Sequence, residues 1–410
     1  MSGIYAHGRK RLRFLLDVDP AIPPPLKADP ERLVSFLPME AIGENGGLDL
    51  SREIRAGDAL SGYTFVADGD VVLAKVTPCF ENGKGALACG LTNGAGFATT
   101  EVYSLRAGRS MDARFLFFAL QSADFRQYGI ARLTGAGGLK RVSATDVRNF
   151  ELDVPALQEQ RVIADYLDRE TARIDTLIQE QEHLIGLLQE RRQSVIETGT
   201  GWDGASQDGW RTQRLSWLFS STASGTTPSN EDILYSTDAE IPWVTTSELR
   251  EVIITGTERG VASQALNRYS ALKLHPSGSV LIAMYGATIG RMAILGVDAA
   301  SNQACCALVG PTGAAAEFVQ YSLLAAKTQL LLEAAGGGQP NINQDKIRSF
   351  RIPVPSLDEQ RRIVAYLDEQ TARIDTLIEE TERFIELARE RRSALISAAV
   401  TGQIDVREGV

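Results

Sequence analysis

Two stretches of the chain carry the same alternation of apolar and polar positions. In the first, apolar residues fall at Ile163, Leu167, Ile174, Leu177, Leu184, Leu188 and Val195, interrupted by Glu170, Gln181 and Arg191. In the second they fall at Ile363, Leu367, Ile374, Leu377, Phe384, Ala388 and Leu395. Steps of three, four and seven make a heptad-like seam, so each stretch predicts a long helix packed along its length against another. No proline interrupts either stretch; Pro155 and Pro355 fix the entries, and Gly199 and Gly402 punctuate the exits. About 35–40 helical residues make a rod on the order of 55 Å.

The two stretches are copies of each other. Phe150 to Ile196 aligns without gaps on Phe350 to Ile396, with identity at about 27 of 47 positions. The shared core is V-P-x-L-x-E-Q-R-x-I-x-x-Y-L-D, then T-A-R-I-D-T-L-I, then E-R-R. A fainter echo pairs Val71-Val-Leu-Ala-Lys and Gly85-Ala-Leu-Ala-Cys with Val280-Leu-Ile-Ala-Met and Arg291-Met-Ala-Ile-Leu. The organisation is therefore a globular segment (1–150), a helix (151–200), a second globular segment (201–349) and a second helix (350–410). Periodicity alone fits a plain dimerisation rod equally well. The placement of one helix after each globular segment favours an intramolecular antiparallel pair that sets two similar domains a fixed distance apart, with approximate two-fold symmetry.

Both globular segments read as mixed α/β. Phe65-Val-Ala-Asp-Gly-Asp-Val-Val predicts two strands joined by a D-G turn, and a helix is expected from near Asp112. In the second segment Ile241-Pro-Trp-Val-Thr reads as an edge strand, and Glu317 to Leu332 as an amphipathic helix. Each segment ends in a glycine-rich loop entering a short helix, with Ser143 and Asn343 as N-caps and Asp146 at the capping-box position.

Composition adds a puzzle. The 410 residues hold 42 Lys+Arg against 52 Asp+Glu, for a net charge of −10, where a free-standing nucleic-acid binder would be basic. Partitioned, residues 151–200 carry −6 and residues 1–150 carry +2, so the acidity concentrates on the first helix. Four cysteines, with no C-x-x-C, make neither a disulfide framework nor a metal knuckle and fit a reducing cytosol. Met1 to Leu16 is basic without an apolar run of signal-peptide length. Ser279 to Val297 is apolar but holds Arg291 and several glycines, and reads as a buried strand rather than a membrane span.

Catalytic patterns are missing. The histidines His7, His183 and His275 are scattered, and no H-E-x-x-H, G-x-S-x-G or dinucleotide fingerprint occurs. Gly135-Ala-Gly-Gly-Leu-Lys140 lacks P-loop spacing and reads as a turn. These absences favour a non-catalytic protein. A stand-alone DNA-modifying or DNA-cleaving enzyme with an unrecognised site, and a coiled-coil scaffold without a DNA role, stay open.

The duplicated motif, the closing Thr401-Gly-Gln-Ile-Asp-Val-Arg, Asp70-Val-Val-Leu-Ala-Lys-Val-Thr-Pro-Cys-Phe-Glu-Asn-Gly-Lys-Gly, Gly225-Thr-Thr-Pro, Val280-Leu-Ile-Ala-Met-Tyr-Gly-Ala-Thr-Ile-Gly-Arg and Gly337-Gly-Gln-Pro-Asn-Ile-Asn-Gln together resemble the specificity subunit of Type I restriction-modification systems. One departure is the first helix's end, Glu197-Thr-Gly-Thr-Gly-Trp. The resemblance implies two target-recognition domains, each reading half of a bipartite DNA site, and two antiparallel helices that fix their spacing. It further implies that the helices dock two methyltransferase (modification) subunits, that restriction subunits join, and that S-adenosylmethionine, ATP and magnesium sit on those partners. No catalytic or metal residue is implied on this chain.

Base reading needs Arg, Lys, Asn, Gln, Ser and Thr on loops or strands that enter a groove, with further cations on phosphates. The candidates are Lys75, Thr77, Lys84, Lys140 and Arg141 in the first domain. In the second they are Thr226, Thr227, Tyr285, Thr288, Arg291, Gln339, Asn341 and Asn343. Each could equally be a surface side chain, and Asn343 a helix cap. The seam residues Ile163, Leu167, Ile174, Leu177, Leu184, Leu188, Ile363, Leu367, Ile374, Leu377, Phe384 and Leu395 are the candidate coiled-coil and partner interface.

Overall fold

The computed structural model describes residues 8–136, 138–204, 209–235, 237–333 and 341–406. The chain forms two compact units: residues 1–182 with 382–410, and residues 183–381. Two long helices, Leu157–Gly199 of 43 residues and Leu357–Val400 of 44, each contribute to both units. At 1.5 Å per residue each is about 65 Å long, longer than the spacing of apolar positions suggested. Among the described residues no helix is long and apolar enough to cross a membrane.

In the first unit, one sheet orders the strands Leu16–Val18, Val102–Ala107, Asp70–Ala74 and Gly85–Leu87, all antiparallel. A second orders Glu53–Arg55, Leu33–Leu37, Ala95–Ala98 and Thr64–Ala67, with Leu33–Leu37 parallel to Ala95–Ala98. The expected Asp68-Gly69 turn joins the sheets, Gly69 taking a φ of +89°. Helix Ala113–Gln121 starts at Asp112, whose carboxylate accepts the Arg114 and Phe115 N–H groups. Its Phe115, Leu116 and Phe118 pack in one core with Ile163, Ala164 and Leu167 of the first long helix and Ile396, Ala399 and Val400 of the second.

The second unit repeats this plan. Its main sheet orders Phe219–Ser224, Cys305–Pro311, Val280–Ala283, Met292–Leu295 and Ile253–Ile254; a second sheet orders Ile233–Tyr235, Arg259–Val261, Ile241–Val244 and Ala300–Ser301. Strand Ile241–Val244 is thus interior, not an edge. Pro242, which cannot donate to a ladder, is tolerated because each neighbour covers half the strand: residues 241–242 pair with Arg259–Val261, and 243–244 with Ala300–Ser301. The expected helix 317–332 is two helices, Ala316–Ala325 and Lys327–Leu332, broken at Ala326 (ψ 6°). The first of them is largely buried rather than amphipathic, with Phe318, Val319 and Leu323 all fully buried.

The duplicated motif has a physical purpose in its glutamine. The Gln160 side chain accepts the Asp112 N–H (2.8 Å) and donates to the Ser110 and Pro155 carbonyls. Gln360 does the same to Ala315, Gly313 and Pro355. Each long helix is therefore stapled at its start to the start of a helix in the preceding globular segment, Ala113–Gln121 or Ala316–Ala325.

Within each unit the long helices run antiparallel. Arg392 pairs with Asp175 (2.9 Å) in the first, and Arg192 with Asp375 (2.8 Å) in the second. These are the same two positions shifted by one repeat. Ile163, Leu167, Ile174, Leu367 and Ile374 are buried as expected, and Leu188, Ile363 and Leu395 are half-buried. Leu177, Leu184, Leu377 and Phe384 are corrections, since all four are exposed. Thr171, Ile178, Thr371, Thr381 and Ile385 are buried instead. An uncoiled helix of 3.6 residues per turn drifts about 20° per heptad, which carries a strict 3.5-residue pattern off the seam.

The helix exits also differ from expectation. Gly199 is the last helical residue of the first copy, and a Cβ there would lie 2.9 Å from Leu367. The positive-φ exit is Gly201 (+66°), matching Gly402 (+69°). Thr200 and Thr401 hydroxyls bond the carbonyls of Ile196 and Ser397, and Trp202 and Gln403 N–H groups bond those of Glu197 and Ala398. The two ends are structurally equivalent despite their different sequences.

Candidate nucleic-acid interface

In the first unit, strand Asp70–Ala74 runs into the loop 75–84, and the segment preceding the short helix Ala144–Asn149 lies against it. The Val142 N–H donates to the Lys75 carbonyl (3.0 Å), and Thr77 N–H to that of Lys140 (2.9 Å). The Thr77 hydroxyl accepts the Lys140 N–H and donates to the Gly138 carbonyl. Lys75, Thr77, Lys140 and Arg141 therefore come together on one loop pair. Lys75 places its ammonium 4.8 Å from the Tyr103 ring, whose hydroxyl bonds the Val142 carbonyl. Lys84 does not join them: its ammonium turns back on the Met39 carbonyl (3.3 Å).

Arg141 is partly spoken for. Its guanidinium makes two 2.8 Å bonds to Glu101, and that contact holds the Glu101 carboxyl below the ordinary carboxylate range. Glu101 was not legible as a site residue, because nothing in its local sequence places it across from residue 141.

The second unit builds the same frame from different side chains. Strand Val280–Ala283 runs into residues 284–291, and the Ile342 N–H donates to the Met284 carbonyl (2.8 Å) while Tyr285 bridges to Asn341. Gly286 (φ +83°) and Gly290 (φ +76°) let this loop turn back so that the Ala283 N–H reaches the Arg291 carbonyl. Arg291 is exposed, and among the described residues no acceptor holds its side chain. The Thr288 carbonyl accepts the Arg291 N–H.

Thr226 and Thr227 follow strand Phe219–Ser224. The Thr226 carbonyl accepts the Trp243 indole N–H, and the Thr227 hydroxyl bonds Gln303. The Ala304 carbonyl beside Gln303 accepts the Met284 N–H (2.8 Å), which ties this segment to the loop. Gly225 is required by close approach, since a Cβ there would lie 1.6 Å from the Ser301 carbonyl oxygen. Asn343 is the N-cap of helix Gln344–Ser349, accepting the Lys346 N–H (2.9 Å), as Ser143 caps its counterpart through Asp146. Gln339 lies outside the described residues. Among the described residues no cluster of His, Cys, Asp and Glu could hold a metal.

Comparison with known proteins bears on these loops. A family model for the Type I restriction modification DNA specificity domain matches residues 91–185 and 207–387. The Type I restriction enzyme EcoAI specificity subunit of Escherichia coli is 35% identical over 176 residues, 42% of this chain and 29% of the relative. The EcoEI specificity subunit of the same species is 30% identical over 215 residues, 52% of this chain and 34% of the relative. The chain thus spans about a third of the length of these relatives. A structure solved for complex assembly and conformational transition of the type I R-M system shares the fold with a TM-score of 0.81 at 20% identity, over 97% of this chain and 98% of that one. The crystal structure of the HsdS subunit from Thermoanaerobacter tengcongensis shares it with a TM-score of 0.57, also at 20% identity, over 97% of each chain.

Proposed function

Because the chain belongs to the Type I restriction modification DNA specificity family, we propose that it is the non-catalytic specificity subunit of a Type I complex. Each globular domain reads one half of a bipartite DNA target. The paired helices fix the distance between half-sites and dock two methyltransferase subunits. S-adenosylmethionine, ATP and magnesium act on the partner subunits, in the cytoplasm.

One observation carries this reading: a frame built twice with unlike side chains. Val142 to Lys75 and Ile342 to Met284 are the same backbone bond in two domains. What the bond presents is Lys75, Thr77 and Lys140 in one domain and Tyr285, Thr288, Arg291 and Asn341 in the other. Hydroxyls, an amide and a guanidinium on loops are the groups that read base edges. The exposed Leu177, Leu184, Leu377 and Phe384 suit a partner surface on the helices, which explains why apolar residues there are tolerated outside the seam.

The test is a domain exchange. Residues 1–150 are replaced by the corresponding domain of a relative, the complex is assembled with its methyltransferase subunits, and the modified sequence is mapped. One half-site is expected to change while the other and the spacer persist. An unaltered target after the exchange, or methylation of DNA by the purified chain alone, overturns the proposal.

A further inference from the structure

Each globular domain is closed by a two-stranded ribbon, and the two ribbons differ in one position that matters. In the first unit Arg9–Arg11 pairs with Glu151–Asp153, and Arg11 stands directly opposite Glu151 with an ion pair of 3.1 Å. In the second unit Arg211–Arg214 pairs with Arg351–Val354, and Arg214 stands directly opposite Arg351. Like charges directly across an antiparallel pair destabilise a sheet. Among the described residues no carboxylate forms an ion pair with Arg214 or Arg351, nor with the exposed Arg348 on the helix that leads into the ribbon.

The same place carries an exposed aromatic residue. Trp217 is 61% exposed on the turn after the ribbon, with the Arg214 guanidinium 5.8 Å from its ring. That turn packs beside helix Gln344–Ser349. In the first unit the equivalent residue is Phe14, with Arg13 beside it, but there Arg13 is held by Asn149 and the acidic strand neutralises Arg9 and Arg11. The frame is shared, and only the second copy is left with an arginine pair that nothing in the described chain offsets.

We propose that Arg214 and Arg351, oriented by Trp217 and joined by Arg348, bind the phosphodiester backbone of duplex DNA beside the half-site read by the second domain. Two guanidiniums side by side match phosphate oxygens in bidentate geometry, and a phosphate supplies the negative charge that the ribbon lacks. The reach is suitable. Asn341 of the candidate reading loop precedes, and Arg351 follows, the six-residue helix Gln344–Ser349, whose own rise is roughly 9 Å. That spans about three phosphate steps of one strand. The inference rests on the DNA-specificity reading and adds a contact that no base sequence dictates.

The first domain supplies its own control variant. Arg351→Glu recreates the Arg11–Glu151 arrangement and so preserves the ribbon while removing the site. Wild-type and variant complexes, assembled with their methyltransferase subunits, are titrated on target and scrambled duplexes across a salt series. Arg351→Glu is expected to weaken binding about tenfold on both duplexes and to lower the slope of log K against log salt by about 1–2. Arg351→Lys is expected to keep most of that slope. Unchanged affinity and slope in Arg351→Glu, with target preference intact, overturn the phosphate site alone. Impaired assembly with normal DNA binding by the assembled fraction also overturns it, and points to an acidic protein partner. A wild-type complex with no target preference overturns the specificity reading itself.

Discussion

The crosswise ion pairs of the long helices allow one interaction to be measured at two depths. Arg392 is only 8% exposed, against 31% for Asp175, while the repeat-related Arg192 and Asp375 are 33% and 46% exposed. Removing Asp175 strips Arg392 of two charge-assisted bonds (2.9 and 3.2 Å) and leaves it one carbonyl, that of Asn45 (3.2 Å). Arg392 also faces Arg126, whose pKa is lowered chiefly by burial and further by the Arg392 charge. Breaking a buried pair from one side costs about 3–5 kcal/mol; the surviving carbonyl and the partial exposure of Asp175 put Asp175→Ala near the lower bound. Asp375→Ala removes a solvent-screened pair and costs about 0.5–1 kcal/mol. Urea unfolding followed by far-ultraviolet circular dichroism reads the difference: a loss of about 3 kcal/mol lowers the midpoint by about 1 M or more. Asp175→Leu combined with Arg392→Met is expected to recover much of the loss, since an apolar pair of similar volume replaces a stranded charge. Equal, small losses for Asp175→Ala and Asp375→Ala would refute the argument from burial.

Gly225→Ala forces a Cβ into the Ser301 carbonyl and is expected to destabilise the second unit by about 2 kcal/mol or more, read by the fluorescence of Trp243, which pairs with Ala300 beside it. Cys305 and Cys306 are buried thiols, each pushed up to about 12 by burial; maleimide at pH 8 should label Cys89 and Cys79 in the native chain and all four only in urea. The Glu101 carboxyl lies below its usual 4.5 chiefly through the Arg141 bond, so that bond stabilises the fold above pH 4.5 and is lost as pH falls through the depressed folded value. Glu101→Gln should therefore flatten the acid limb of a stability–pH curve, and an unchanged limb would count against the pair. The unlike loops predict an asymmetric target with two different half-sites, and a methylation map showing an inverted repeat would contradict that.

The helices and the two-domain order were legible because periodicity and self-similarity are properties of the chain alone. The strands that lead into the candidate loops were legible for a related reason: Asp70–Ala74 and Val280–Ala283 are fully buried and apolar except for Asp70, with turn residues after them. What sequence could not supply was the identity of partners across space. The seam was misplaced by a residue toward the middle of the helices because a 3.5-residue reading drifts along a 3.6-residue helix. Strand Ile241–Val244 looked like an edge because Pro242 lacks a donor, and only the split pairing reveals how an interior strand tolerates it. Lys84 was nominated from composition, and its contact with Met39 links residues 45 apart.

The duplication also separates two kinds of constraint on the chain. Residues that hold the frame recur in place: Gln160 and Gln360 staple the helix starts, Thr200 and Thr401 close the helix ends, and aspartate meets arginine twice across the antiparallel helices. Residues the frame presents do not recur; Arg141 has no cationic counterpart at Asn341, nor Lys75 at Met284. A scaffold whose only duty was to hold two bodies apart would have no reason to keep the loop backbone while changing its side chains. The charge follows the same division. The helix stretch 151–200 carries −6 while residues 1–150 carry +2, so the acidity that argued against DNA lies away from the loops that would meet it. A net charge of −10 then limits only what the chain does unaided. On the proposed reading, near-neutral domains would bind phosphate weakly on their own, and a clamp completed by partner subunits would make up that deficit without entering the base contacts.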